Sequence, residues 1–264
     1  MKKRTSSTIY HDKIAEDYES SYLEPYWQLY FEITWQNLKK YLPKKGARIL
    51  DAGGGTGYWS RKLAKHDFYM VCSDISERML EVGSKLAEKE NLQKLIEFEY
   101  ADITDMHCFE DNSFDMVLAQ GDPVGYCGNP QKAIQELSRV AKTGASVSVS
   151  VDSYFSQLGR QLSVNNYKQI EVLKETHISD ERGEFPIYYF TVDELRKMFN
   201  KSGLKVIDTI GKCVFTRFFS RDKINEFLSD QKFFDQLFEL EMSYNSDLSI
   251  VGLCRHIQMI GKKK

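Results

Sequence analysis

The sequence predicts an α/β fold: a mostly parallel sheet with helices on both faces, preceded by N-terminal helices and interrupted by an inserted cap. Three observations carry this. The stretches "RILDAG" (48–53), "YMVCSDI" (69–75), "IEFEYADI" (96–103), "FDMVLAQG" (114–121) and "ASVSVSVD" (145–152) are separated by segments whose apolar residues recur at helical spacing. Several of these strands are apolar almost throughout, as strands covered on both faces must be. A glycine-rich turn, "GGGTG" at 53–57, joins the first strand to the first of the alternating helices.

Taken in order, residues 9–42 read as helical with one break at Pro25, after which Trp27, Tyr30, Phe31, Thr34, Trp35 and Leu38 share a helical period. "LPKKGA" ends that helix. The segments "GYWSRKLAKH", "SERMLEVGSKLAEKENL" and "NPQKAIQELSRVAK" are the helices between the strands, with the first and fourth strands at the centre of the sheet. Residues 153–190 are too long for an ordinary connection and are expected to fold over the ligand-binding edge. "TVDELRKMFNKSGL" resumes as a helix, with Thr191 and Glu194 forming a capping box and Gly203 in the C-terminal turn. A strand at 205–211, a helical stretch at 221–241 and a last strand at 255–261 follow, and the last two strands need not be sequential neighbours in a parallel series. The expected organisation is an N-terminal helical lid (1–42), a ligand-binding core (43–152), an inserted cap (153–190) and a C-terminal completion of the core with a helical insertion (191–264).

The chain has 264 residues, 42% hydrophobic and 28% charged, enough for a core that needs neither disulfides nor a structural metal. Its formal charge of −2 provides no global field toward nucleic acid or an anionic membrane. "KKR" (2–4) and "KKK" (262–264) read as solvated ends. The five cysteines contain no CxxC pair, so no metal site is expected and reduced thiols in a cytoplasmic protein are the simpler account. The N-terminus has no apolar leader region, and no apolar run approaches the about 20 residues needed to span a bilayer.

The register of the glycine turn separates three chemistries. A phosphate-binding P-loop needs GxxxxGK[ST], but Tyr58 follows Gly57 and no Lys-Ser/Thr pair is present. The dinucleotide pattern GxGxxG fails in both registers, at Tyr58 or at Ser60. What remains is Asp51, Gly53, Gly55 and Gly57, an acid followed by alternating glycines, with Gly54 in a variable slot. A tight strand-to-helix turn without a ligand is the plain alternative. In this pattern the sequence resembles the first motif of the class I S-adenosylmethionine-dependent methyltransferases, of the small-molecule, type 11/25-like kind. The resemblance covers about residues 40–152, and "YYFTVDELRKMFNKSGLKVID" is similar to the family's late helix and strand.

The resemblance implies a Rossmann-like seven-stranded sheet, S-adenosylmethionine as cofactor and S-adenosylhomocysteine as product. Glycines let the backbone approach the ligand, and the methionine carboxylate sits against that backbone. Asp51 either supports the loop or meets the ligand's ammonium. Asp74, at the end of the second strand, either accepts the ribose hydroxyls or caps the next helix, although Ser76 is the better cap. Asp102 and Ile103 map onto the adenine-contacting positions, with a strand-end turn as the alternative for Asp102. Ile75 and Met79 either flank the adenine or belong to the core. Tyr18, in "IAEDY", matches an aromatic that family members close over the cofactor, and Gln120 opens the loop beside the transferable methyl group.

That loop, "QGDPVGYCGNP", departs from the acid/Asn-Pro-Pro-aromatic run of some amino-group methyltransferases, so base or exocyclic-amine methylation is not assigned. Asp122 and Tyr126 are the candidate catalytic residues, the first to orient or deprotonate a nucleophile, the second to wall the pocket. Cys127 is either reactive or an inert thiol. Tyr10, Tyr26, His177 and Tyr188 are candidate substrate contacts, with packing roles as the alternative. Methyl transfer is an in-line displacement that alignment and a dry pocket promote without a covalent residue. The expected function is therefore methyl transfer to a small-molecule acceptor, with no membrane partner and nucleic acid disfavoured. RNA or protein methylation and a non-catalytic cofactor-binding regulator are the alternatives. A nicotinamide oxidoreductase is disfavoured by its broken fingerprint.

Overall fold

The computed structural model describes residues 5–180 and 185–264. Helix α1 (Ser6–Ile14) is capped by Thr5 in a capping box with Thr8, a 3-10 segment follows over Ala15–Leu23, and α2 spans Pro25–Leu38. Pro25 does not break a helix. It starts one, at a position where its missing N–H has no intrahelical role.

Strands and helices then alternate: β1 (Arg48–Ala52), α3 (Tyr58–Ala64), β2 (Tyr69–Asp74), α4 (Glu77–Lys89), β3 (Ile96–Tyr100), β4 (Phe114–Ala119), the short α5 (Pro123–Tyr126), α6 (Pro130–Val140) and β5 (Ala141–Asp152). Next come α7 (Tyr154–Ser163), α8 (Tyr167–Thr176), a two-stranded ribbon of β6 (Ile178–Ser179) and β7 (Ile187–Tyr188), and α9 (Val192–Lys201) with the expected Thr191–Glu194 capping box. β8 (Leu204–Lys212), α10 (Arg221–Leu228), α11 (Gln231–Tyr244) and β9 (His256–Lys263) complete the chain. The helical stretch expected at 221–241 is two helices, because Asp230 Oδ1 accepts from Phe233 N and starts a second one.

The seven-stranded sheet has the order β3-β2-β1-β4-β5-β9-β8. Its first five strands pair in parallel, and β9 enters between β5 and β8, antiparallel to both. The fold is Rossmann-like, and the last two strands break the sequential series. The C-terminal lysines are not free ends: Lys262 pairs within β9, and Lys263 Nζ donates to Asn112 Oδ1 and to the carbonyls of Arg139 and Ala141. Residues 2–4 lie outside the described residues.

Alternation along the strands fills two cores. Ile49, Met70, Met116 and Leu118 pack with α2, α3 and α10, while Leu50, Val71, Val117 and Ala119 pack with α6 and α9. Both faces being covered, the ligand-accessible region is the edge where the parallel strands end. Among the described residues no helix is long and apolar enough to cross a membrane.

At that edge α4 presses on the glycine turn. A Cβ at Gly83 would lie 2.7 Å from Thr56 O and 2.7 Å from Phe98 Cε1. Gly→Ala inside a helix normally stabilises by up to ~1 kcal/mol. Here Gly83→Ala is expected to destabilise by ~1–3 kcal/mol through overpacking, as read from urea denaturation.

Candidate active site

The turn between β1 and α3 has Gly53 (φ 67°), Gly55 (φ 56°) and Gly57 (φ 77°) in the left-handed region. Gly53 also lacks room, since a Cβ there would lie 2.3 Å from Pro123 Cβ. Gly54 does not fill a variable slot: its Cβ would lie 2.8 Å from Cys72 Sγ and 2.9 Å from the Asp51 carboxyl. The alternating pattern missed this steric requirement because it arises from a neighbouring strand.

Three acids end three adjacent strands or their loops, and each does something different. Asp51 Oδ2 accepts from Ser60 N (3.1 Å) and Ser60 Oγ (2.8 Å), so it holds the start of α3 from beneath the loop. Burial pushes its carboxyl up to about 6. Asp74 Oδ2 accepts from Gly55 N (2.9 Å) and Oδ1 from Ser76 N (2.8 Å), while Ser76 Oγ caps α4 by accepting from Met79 N (3.1 Å). Burial raises the Asp74 carboxyl, and backbone donors and His11 oppose that shift. Asp102 Oδ1 accepts from Thr104 N (2.9 Å) and Oγ1 (2.7 Å), a strand-end turn.

The N-terminal segment is tied to this loop. Glu19 accepts from Thr56 Oγ1 (2.5 Å) and from Arg61 Nη2 (2.7 Å), and Arg61 Nη1 donates to Thr56 O. Arg61 also pairs with Glu90 at 3.0 Å, and Ser76 Oγ donates to Asp12 Oδ1 at 2.6 Å.

Between these elements lies a chamber of about 1030 Å³, part of it open to solvent. On its β2–β3 side stand Asp74, Ile75, Met79, Asp102 and Ile103; Gly53 and Gly55 line its middle, and Gln120, Pro123 and Tyr126 its β4 side. Tyr18 and His11 cover it from the N-terminal segment, and Tyr22, Tyr30, Phe31, Tyr58 and Trp59 form an aromatic wall. The helical period shared by Tyr30 and Phe31 does not by itself tell which buried ring borders a space.

Several expected residues stand elsewhere. Asp51 and Gly57 do not line the chamber, nor does Asp122, which is buried and caps α5 through Gly125 N (3.1 Å). Burial and the nearby Asp152 push the Asp122 carboxyl well above its usual range. Tyr10 packs on Phe185, with ring centroids 5.4 Å apart. Tyr26 is fully buried, with its hydroxyl 3.3 Å from His256 Nε2. His177 stacks on Tyr154 at 4.2 Å, and Tyr188 donates to Glu194 Oε1 at 3.2 Å. Cys127 lines the chamber, but burial pushes its thiol up to about 11, which disfavours the reactive thiolate.

Gln120 is oriented by its neighbours. Its Nε2 lies 3.0 Å from the Ser148 carbonyl, which can only accept, so Oε1 points the other way, where it is buried without a partner. An orphaned acceptor, backbone exposed by glycines and a carboxylate with acceptor capacity to spare suit a polar, cationic ligand.

This sheet and this loop are those of the class I S-adenosylmethionine-dependent methyltransferase fold. Residues 49–144 match the family model described as "Methyltransferase domain", and that family implies S-adenosylmethionine as cofactor. The tRNA 5-carboxymethoxyuridine methyltransferase of Escherichia coli O157:H7 is 23% identical over 96% of this chain and 95% of its own. The demethylmenaquinone methyltransferase of Clavibacter sepedonicus is 39% identical over 105 residues, 40% of this chain and 41% of its own. A Haloferax volcanii structure of the Trm112 methyltransferase activator with a putative methyltransferase matches with a TM-score of 0.62 at 17% identity, over 96% of both chains, a likeness of fold. These comparisons overturn the expectation that nucleic acid is disfavoured as a partner: a relative similar along nearly its whole length acts on tRNA, and a chain of like fold is bound to a protein, while the relative matched over 105 residues is named for a quinone. The charge argument failed because a net charge sums the whole surface and says nothing about one face.

Asp51 provides a pH test of the loop. Its folded-state pKa lies above that of an unfolded aspartate, so its contribution to stability is lost as pH rises through about 6. Asp51→Asn removes that loss, so the variant is expected to gain stability relative to the wild type between pH 4 and pH 7 in urea titrations.

Proposed function

We propose that the protein transfers a methyl group from S-adenosylmethionine to a nucleoside of tRNA, taken out of its stack into the aromatic part of the chamber. The extent of similarity carries this. The match to the E. coli tRNA methyltransferase spans 96% of the chain, so it takes in most of the N-terminal helices and of residues 153–190 as well as the core, whereas the 105-residue match to the quinone enzyme is too short to do so. Aromatic side chains suit a base removed from its neighbours, because every base has a face that stacks.

In this reading the backbone at Gly53 and Gly55 receives the methionine carboxylate, and Gly57 serves the turn without touching ligand. Asp74 takes the ribose hydroxyls: a carboxylate accepts about four hydrogen bonds, and two backbone donors already orient it. Asp102 and Ile103 meet the adenine edge, Ile75 and Met79 flank its ring, Tyr18 covers it, and Asp51 positions the loop without touching ligand. The cofactor supplies an electrophilic methyl on a positively charged sulfur. Gln120 Oε1 and the faces of Tyr30 and Tyr58 border the place where that charge sits, and aromatic faces attract it. Asp122 positions α5, and with it Tyr126, rather than acting as a base.

Calorimetry separates binding from chemistry. Asp74→Ala is expected to weaken S-adenosylhomocysteine binding at least tenfold with the thermal unfolding transition retained; unchanged affinity contradicts the ribose assignment. Labelled methyl groups are expected in tRNA from a strain lacking the protein, with initial rates that fall as salt rises. Label in a quinol and none in tRNA contradicts the acceptor, and binding without transfer to any acceptor favours a regulator.

A further inference from the structure

A buried lysine lies behind the aromatic wall. Lys212, at the end of β8, is fully buried, and its Nζ donates to Ser150 Oγ (2.7 Å) and Thr34 Oγ1 (3.1 Å) and lies 3.8 Å from the centroid of the Tyr30 ring. Ser150 Oγ in turn lies 3.1 Å from the Tyr30 hydroxyl, and Tyr30 lines the chamber. Thr34 Oγ1 donates to Tyr30 O (2.8 Å).

One end of this chain is fixed. An ammonium donates and cannot accept. Ser150 Oγ accepts from Lys212 and keeps one lone pair and its own hydrogen, so toward the Tyr30 hydroxyl it can donate or accept. Where it donates, the phenol hydrogen points away from Ser150. We propose that Lys212 is a positioning residue that fixes this chain so that Tyr30 donates a hydrogen bond into the chamber, to a lone-pair-bearing oxygen or nitrogen of the methyl acceptor. Gln120 Oε1, an acceptor on the chamber's β4 side, complements it, so a group that presents both an acceptor atom and a donor suits the pair. This rests on the proposed function only in taking the aromatic part of the chamber as the acceptor's place.

The surroundings make the direction pH-sensitive. Facing Lys212 are Asp122 after β4, Asp152 on β5, Cys213 after β8, Cys254 before β9, His256 on β9 and the Tyr30 ring of α2. Burial outweighs the carboxylates and thiols and lowers the ammonium to about 7. Below that pH the chain points outward. Above it the neutral amine can accept, and the phenol hydrogen can turn inward.

The test uses the full chain with S-adenosylmethionine and tRNA from a strain lacking the protein. For the wild type, kcat/KM for tRNA is expected to fall about tenfold, the worth of one hydrogen bond, as pH rises through about 7. Tyr30→Phe is expected to be lower by that factor at low pH and flat, and Lys212→Met to lose the limb, with S-adenosylhomocysteine affinity unchanged in both. A lysine Cε resonance absent from Lys212→Met is expected to titrate near pH 7 by NMR. A midpoint above about 9, or a limb that persists in Tyr30→Phe, overturns the inference. If S-adenosylhomocysteine binds and no methyl enters tRNA, the proposed acceptor fails while the NMR midpoint still decides the role of Lys212.

Discussion

The ligand-binding edge depends on how two neighbouring parallel strands hold one loop. Asp51 stands one residue before the end of β1 and Asp74 ends β2, and both carboxylates accept from backbone N–H groups around the glycine turn. A turn with three left-handed residues has few local hydrogen bonds of its own, so donors such as Gly55 N must be satisfied from outside. The acids do that and leave the loop's surface facing the chamber. Burial raises both carboxyls.

Steric constraints reinforce the electrostatic ones. Pro123 occupies the space a side chain at Gly53 would need, Cys72 and Asp51 occupy that of Gly54, and Thr56 occupies that of Gly83. The loop is thus clamped between the segment after β4 and helix α4. The Glu19–Arg61–Thr56 network extends the clamp to the N-terminal segment, so the residues above the chamber and the loop beneath it are ordered together.

Much of the core was legible because its signals are local. Apolar strands, helical periods, the Thr191–Glu194 box and the register of the glycines all lie within a few residues of what they determine. The insertion of β9 between β5 and β8 was not, because strand order is set by pairing over long sequence distances. The same holds for the site. Asp74 and Asp102 follow from strand ends, but the proposed roles of Tyr30 and Lys212 depend on contact between α2, β5 and β8, with Tyr30 and Ser150 120 residues apart in sequence. Tyr26 and Tyr30 have the same residue type and neighbouring helical positions, and only packing decides that one is sealed against His256 while the other borders the chamber. Acceptor choice is of this second kind, beyond the reach of composition and net charge.

The central claim is that one chamber orders cofactor and acceptor along the strand ends, with adenosine toward β3 and the reacting sulfur toward β4 and the aromatic wall. A crystal structure with S-adenosylhomocysteine bound tests it most directly. The expected result is the ribose on Asp74, with the sulfur facing Gln120 and Tyr30. Adenine lodged among Tyr22, Tyr30 and Tyr58, or a ribose remote from Asp74, contradicts it.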